Sequence, residues 1–339
     1  MMSWVWNLKL WIANLTVFLL KAGEEVLVGG QAVFEGVMMR SPKSYSIAVR
    51  KPDGTIVVKK DYLPRPSDRR ALWGYPLLRG IATLGQAFTL GVRALRFSTD
   101  QVLSGLAGKE NPPTNAKAAP RKLAPREVST GMMAMNIVVA LTVFVLLFKL
   151  LPLVLTTWLQ NHFIAIKDPL LFSLVDGVIR LGIFVLYIVL VSQIRDIRRI
   201  FEYHGAEHKV VFTYEAQEGL TVDNARKHST FHPRCGTSFL MVVMLISALV
   251  YAFIPFESLA MRLLSRIILI PVIAGISYEI IRFAALRKVT VLQWITLPGL
   301  WLQRVTTKQP DDGQLEIAIR ALDEALVLEN AAVPQPVAV

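Results

Sequence analysis

The sequence holds one cysteine and five histidines in 339 residues, and only 18% of it is charged. A single cysteine excludes an intramolecular disulfide, and a thiol placed among histidines suits a reducing compartment. Set against the roughly 25% charge of an average soluble chain, the 53% hydrophobic content and mean hydropathy of +0.47 exclude an ordinary soluble protein. Acidic residues are the scarcer sign, 25 against 37 Lys and Arg, for a net charge of +12. No nucleic-acid module accompanies that excess and the aromatic residues sit mostly in apolar runs. The positive charge therefore reads as membrane topology, and no nucleic-acid partner is expected. Gly29-Gly30 lacks the Lys-Ser/Thr that would make it a phosphate loop. Repeat symmetry and interrupted helices, the marks of a transporter, are missing as well.

Long apolar stretches are what the chain has instead. Residues 135–158 and 170–193 are each long enough to cross about 30 Å of hydrocarbon, and 239–256 and 263–283 form a second pair. The expected fold is a mainly α-helical membrane protein with about four transmembrane helices and a small cytoplasmic α+β portion containing a β-hairpin. The outer connections carry few Lys or Arg, whereas the central loop, the amino-terminal part and residues 282–308 are rich in them. By the positive-inside rule both termini and the central loop lie in the cytoplasm, beneath a bacterial-type inner membrane or its equivalent.

Taken in order, residues 1–28 read as an interfacial anchor helix, since Lys9 and Asn14 break an otherwise apolar run. Residues 29–107 carry the β-hairpin, with Pro52-Asp53-Gly54 as its turn, and then a semi-apolar helix. A disordered basic linker follows over 108–130. The first helix pair occupies 131–194, a loop bearing the His/Cys motifs 195–237, and the second helix pair 238–285. Residues 286–330 combine an apolar segment broken at Pro298-Gly299, expected as a re-entrant or interfacial hairpin, with an amphipathic helix capped by Asp311-Asp312. A disordered tail completes the chain over 331–339. Leu315, Ile319, Leu322 and Leu326 recur at helical spacing, a stripe that wants the cytoplasmic portion, a second copy of the chain or another membrane protein as partner. Lipids are the remaining expected partner. Within the spans, Asp176 and Arg180 are expected to pair, as are Glu279 and Arg282, while Lys149 faces the bundle.

Four of the histidines and the cysteine fall between Tyr203 and Cys235. His204, Glu207 and His208 spell H-x-x-E-H, the inverted form of a zinc-protease motif. On a helix the two imidazoles lie one turn apart on one face, and Glu207 sits at its edge as a general base. His228, His232 and Cys235 supply further ligands of the kind zinc or another divalent ion accepts. One of them would complete a catalytic site, and two would close a structural one. The competing reading makes His204 and His208 interfacial helix residues and puts His228 and His232 in a basic solvated loop. Glu35, a lone carboxylate, and Arg40 either belong to a small sheet core or face the histidines.

Tyr203-His-Gly-Ala-Glu-His-Lys209, Phe231-His-Pro-Arg-Cys-Gly-Thr-Ser238 and Gly29-Gly-Gln-Ala-Val-Phe-Glu-Gly-Val-Met-Met-Arg40 resemble the signatures of the YqhQ-like family. The similarity spans roughly residues 29–312, apart from the linker. It implies a metal-dependent enzyme of the membrane and no particular substrate.

Three functions are consistent with these residues. One is a membrane zinc hydrolase with Glu207 as base. The second is a membrane scaffold with a structural metal held by His204, His208, His232 and Cys235. In the third, Cys235 is a nucleophile activated by His232 or His208, with backbone donors from residues 236–238.

Overall fold

A computed structural model describes residues 28–110, 130–233, 235–254, 258–287 and 290–332. The expected anchor helix, nearly all of the basic linker and most of the tail lie outside the described residues.

Four strands come first: β1 (Gly29–Val33), β2 (Gly36–Arg40), β3 (Ser44–Arg50) and β4 (Ile56–Tyr62). They form an antiparallel meander in the order β1-β2-β3-β4, so the expected hairpin is half of a larger sheet. In the β3–β4 turn Gly54 takes a φ of +88°, a conformation without Cβ penalty only for glycine. Helices α1 (Pro66–Arg69), α2 (Leu78–Glu110), α3 (Thr130–Val145), α4 (Leu151–His162) and α5 (Pro169–Val191) follow, with a π-helical turn at Leu146–Leu150 joining α3 to α4. Then come α6 (Arg195–Glu215), α7 (Val222–Lys227), α8 (Gly236–Ala252), α9 (Leu259–Ile268), α10 (Ile270–Arg287), α11 (Thr290–Thr306) and α12 (Asp312–Ala332).

The sheet is covered on both faces, and its alternation sorts the side chains between them. Val37, Met39 and Ala48 pack with Tyr203 and Val210 of α6 and with Leu315 and Leu322 of α12. Met38, Tyr45 and Ile47 face the other way onto Leu90 and Ala94 of α2. The stripe on α12 thus finds a partner within the chain. Asp311 and Gln314 cap that helix reciprocally, each accepting from the other's backbone N–H at 2.7 and 2.9 Å, a capping box. Ser44 donates to the Ala325 carbonyl at 2.6 Å, and Ser46 donates to that of Ala321, fastening β3 along the helix.

Among the described residues two helices are long and apolar enough to cross a membrane, Ala134–His162 and Pro169–Val191. The other two expected spans change on inspection. Helix α8 has 17 residues, about 25 Å at 1.5 Å per residue, which is short for a full crossing. Helices α9 and α10 are bent by 48° at their junction, so they make a third span only if counted as one. Two to three spans therefore replace the expected four, because hydropathy registers apolar residues and not a bend or an early helix end. The hairpin expected at Pro298-Gly299 is also corrected. Helix α11 runs straight through Pro298, and Gly299 presses on Ser238 at the start of α8, where a Cβ would collide.

Asp176 and Arg180 pair as expected, and Arg266 of α9 joins them, its Nη1 2.7 Å from Asp176 Oδ1. Lys149 is buried, with Nζ 3.4 Å from the Tyr251 hydroxyl. Glu279 pairs with Arg79 of α2, with Arg79 Nε at 2.8 Å. Gly80 of α2 allows that approach, since a Cβ there would meet the Tyr278 side chain at 3.0 Å.

Candidate metal centre

Helix α6 buries Tyr203, Ala206 and Val210 against the sheet, which brings His204, Glu207 and His208 to its side nearest α8. The His204 and His208 ring centroids are 4.5 Å apart. His204 Nδ1 lies 2.8 Å from the Thr306 carbonyl, and His208 Nδ1 lies 2.5 Å from that of Thr230. A carbonyl only accepts, so each Nδ1 carries the proton and each neutral ring offers its Nε2 lone pair. His208 Nε2 is buried without a hydrogen-bond partner. His204 Nε2 is 3.2 Å from Cys235 Sγ. One ligand atom from each of His204, His208 and Cys235 falls within 4.8 Å of the other two.

Cys235 reaches this position as the N-cap of α8, held out of the helix by the turn at Pro233. Its sulfur accepts from Thr237 N at 3.5 Å and Thr237 Oγ1 at 3.3 Å. Two imidazoles oriented by carbonyls and one sulfur oriented by a helix start suit a divalent ion of the zinc type. The buried lone pair of His208 supports that fit, because a polar atom so placed is costly unless something pairs with it.

Glu207 is buried beside this group, its carboxylate 3.6 Å from His208 Nε2 and 3.9 Å from His204 Nε2. A cavity of about 170 Å³ opens in front of the three ligand residues and Glu207. Gly29, Gly30 and Arg40, at the ends of β1 and β2, line it as well. Gly30 must be a glycine: a Cβ there would lie 2.8 Å from Glu207 Cγ and 2.6 Å from the Met38 carbonyl. Burial lowers the pKa of Arg40, and the nearby Tyr278 opposes the shift.

The other expected site residues stand apart from the three ligands. His228 Nε2 faces Glu218 at 3.3 Å, and its ring stacks on Phe212. His232 forms part of the cavity wall, but its Nε2 faces Glu215 at 3.3 Å and its ring packs on Phe212 at 4.4 Å. Burial pushes the His232 pKa below its ordinary value, against a smaller pull from Glu207. Glu35 occupies the β1–β2 turn with φ of +50°, pairs with Arg199 and accepts from the Tyr203 hydroxyl at 3.2 Å. It braces the start of α6 rather than lining the cavity.

Sequence reasoning missed the residues that orient the ligands. Thr306 and Thr230 act through backbone carbonyls, which leave no mark in a sequence. Gln303 did leave one, as a polar residue in an apolar helix: it is fully buried, accepts from His232 N at 2.7 Å and donates to His232 O at 2.8 Å. Gly205 is another. A glycine within a helix costs about 1 kcal/mol relative to alanine, but a Cβ on Gly205 would fall onto the Lys308 carbonyl. The Lys308 N–H donates to Phe201 O at 2.9 Å, so the segment leaving α11 lies directly on α6. Gly205→Ala is expected to destabilise the chain by about 1–3 kcal/mol despite its better helix propensity. Thermal unfolding in detergent measures this, and a raised midpoint would contradict the packing described.

The molecule is a mainly helical protein with a small antiparallel sheet, two to three apolar helices among the described residues, and a His/His/Cys group able to hold a metal ion. It belongs to the family described as "Protein of unknown function (DUF1385)", whose model matches residues 75–328. It is also similar to "Uncharacterized protein YqhQ" of Bacillus subtilis (strain 168), with 36% identity over 310 residues, 89% of this chain and 92% of that protein. The YqhQ-like resemblance carried by the three motifs is thus borne out as family membership. No solved structure matches the chain.

Proposed function

We propose that the chain is an integral-membrane, metal-dependent hydrolase whose site lies at the cytoplasmic membrane face. His204, His208 and Cys235 would hold zinc or another divalent ion. When bound, the ion supplies a Lewis acid that activates water and polarises the bond to be cut. Glu207 lies outside the ligand set but within 3.9 Å of both Nε2 atoms, placed to take the proton that the attacking water gives up. The carbonyls of Thr230 and Thr306 keep both imidazoles in the ligating tautomer.

The observation that carries this reading is a group of three ligands with a separate buried carboxylate beside it. A closed structural site takes four protein ligands. His232, which would have supplied the fourth, has its Nε2 turned to Glu215. A second reading rests on the 3.2 Å approach of Cys235 Sγ to His204 Nε2, the spacing of a nucleophile and its base.

Elemental analysis of the protein purified in detergent without chelator separates the two. About one divalent ion per chain is expected, lost in His204→Ala and in His208→Ala and retained in Glu207→Gln and His232→Gln. Metal-free wild type with rapidly alkylated Cys235 would remove the metal reading in favour of the cysteine nucleophile.

A further inference from the structure

We infer that the cavity recognises a phosphate group on its ligand, and that Arg40 is the residue that binds it. The inference rests on the metal reading above and supplies the class of ligand that reading leaves open. Arg40 ends β2 and lines the same cavity as His204, His208 and Cys235. Among the described residues no carboxylate pairs with its guanidinium, and the group beside it is the Tyr278 phenol. The contrast with the other arginines near the sheet is instructive. Arg50 pairs with Glu316 at 2.7 Å, and Arg199 pairs with Glu35. A half-buried guanidinium left unpaired in a cavity is an incomplete interaction, and a planar fork of N–H donors is matched best by an oxyanion.

Two further features converge on the same space. The first turn of α8 begins at Gly236, which lines the cavity and where a Cβ would meet nothing within 4 Å. A helix start attracts anions through its N–H groups; here Thr237 N is turned to Cys235 Sγ and Ser238 N to the Cys235 carbonyl, which leaves that of Gly236. His208 Nε2, buried and without a hydrogen-bond partner, faces the same group of ligands. A phosphoryl group has three oxygens to divide among a metal ion, a guanidinium and a helix start, whereas a carboxylate has two. The volume of about 170 Å³ is room enough for a group of that size.

The metal-loaded full chain in detergent is titrated calorimetrically with inorganic phosphate, acetate and dihexanoyl phosphatidic acid, and metal content is measured on every sample. Wild type is expected to bind phosphate and to bind acetate at least about tenfold more weakly. Arg40→Gln is expected to lose about tenfold to a hundredfold in phosphate affinity with its metal retained, and Arg40→Lys to fall between. Should Arg40→Gln fail to fold, the metal-replete Arg40→Lys decides by the same comparison. Phosphatidic acid binding tenfold tighter than inorganic phosphate identifies a lipid headgroup, equal affinity identifies a soluble phosphate, and both sustain the inference. Phosphate affinity unchanged in the Arg40 variants, acetate binding as tight as phosphate, or no phosphate binding by metal-loaded wild type would overturn it while leaving the metal reading intact. Absence of metal from wild type would instead strike the metal reading, and Arg40-dependent phosphate binding would still be decided by the same titration.

Discussion

Asp176→Asn is expected to destabilise the protein by about 3–5 kcal/mol, the loss typical of breaking a buried ion pair by removing one partner. Asp176 is 1% exposed and receives Arg266 on one oxygen and Arg180 on the other. Arg180 also donates to Ser247 at 2.5 Å, and Arg180, Arg266 and Lys149 all stand over the Tyr251 ring. Among the described residues Asp176 is the carboxylate these cations share. Its neutralisation leaves the buried Arg180 and Arg266 guanidiniums and the Lys149 side chain between the π-helical turn, α5, α8 and α9 with no carboxylate among the described residues to offset them. Thermal unfolding in detergent reads the loss directly. Adding Arg266→Met to Asp176→Asn should recover part of it, a coupling that a double-mutant cycle isolates. A single Asn variant within about 1 kcal/mol of wild type, the range of an exposed pair, would show that the cluster does not hold these helices together.

Under the proposed hydrolase function, Glu207→Gln is expected to abolish most turnover while leaving a bound metal in place. Losing a general base lowers a rate by about 10²–10⁴-fold, and the amide keeps the volume that Gly30 makes room for. Metal content should stay equal to wild type, because the carboxylate is not one of the three ligands. The measurement pairs elemental analysis with turnover of phosphomonoester, phosphodiester and ester probes by the reconstituted protein. Retained activity in Glu207→Gln would remove Glu207 from the chemistry, and coincident loss of metal and activity would make it a ligand.

The site was legible in the sequence wherever side chains carry the chemistry. H-x-x-E-H fixed a helix face, and the Pro233 step before Cys235 marked a chain that leaves helical geometry and caps the next helix. What orients those side chains was not legible, since Thr230 and Thr306 act through carbonyls supplied by the fold. The same division runs through the architecture. Local turn chemistry at residues 52–54 announced β3 and β4, and Asp311 announced α12. The rest of the sheet, β1 and β2, was harder to see, because Gly36 to Met39 of β2 are all buried and offer no alternation of apolar with polar residues. Pro298 misled in the opposite direction. It removes one helical hydrogen bond, yet α11 persists because Gly299 lets it lie against the start of α8. Glu279 and Arg282 are close enough in sequence to pair, whereas Arg79, the partner of Glu279 on α2, lies 200 residues away.

X-ray absorption at the metal edge of protein purified without chelator tests the central claim most directly, because it reads ligand identity without requiring a substrate. Cys235 is the only cysteine of the chain, so a single sulfur in the first shell can come from nowhere else within it. The account predicts one sulfur at about 2.3 Å and two imidazole nitrogens at about 2.0–2.1 Å from zinc, with the remaining position held by a light atom that no protein side chain supplies. A shell without sulfur, or one closed by a third imidazole, would contradict it.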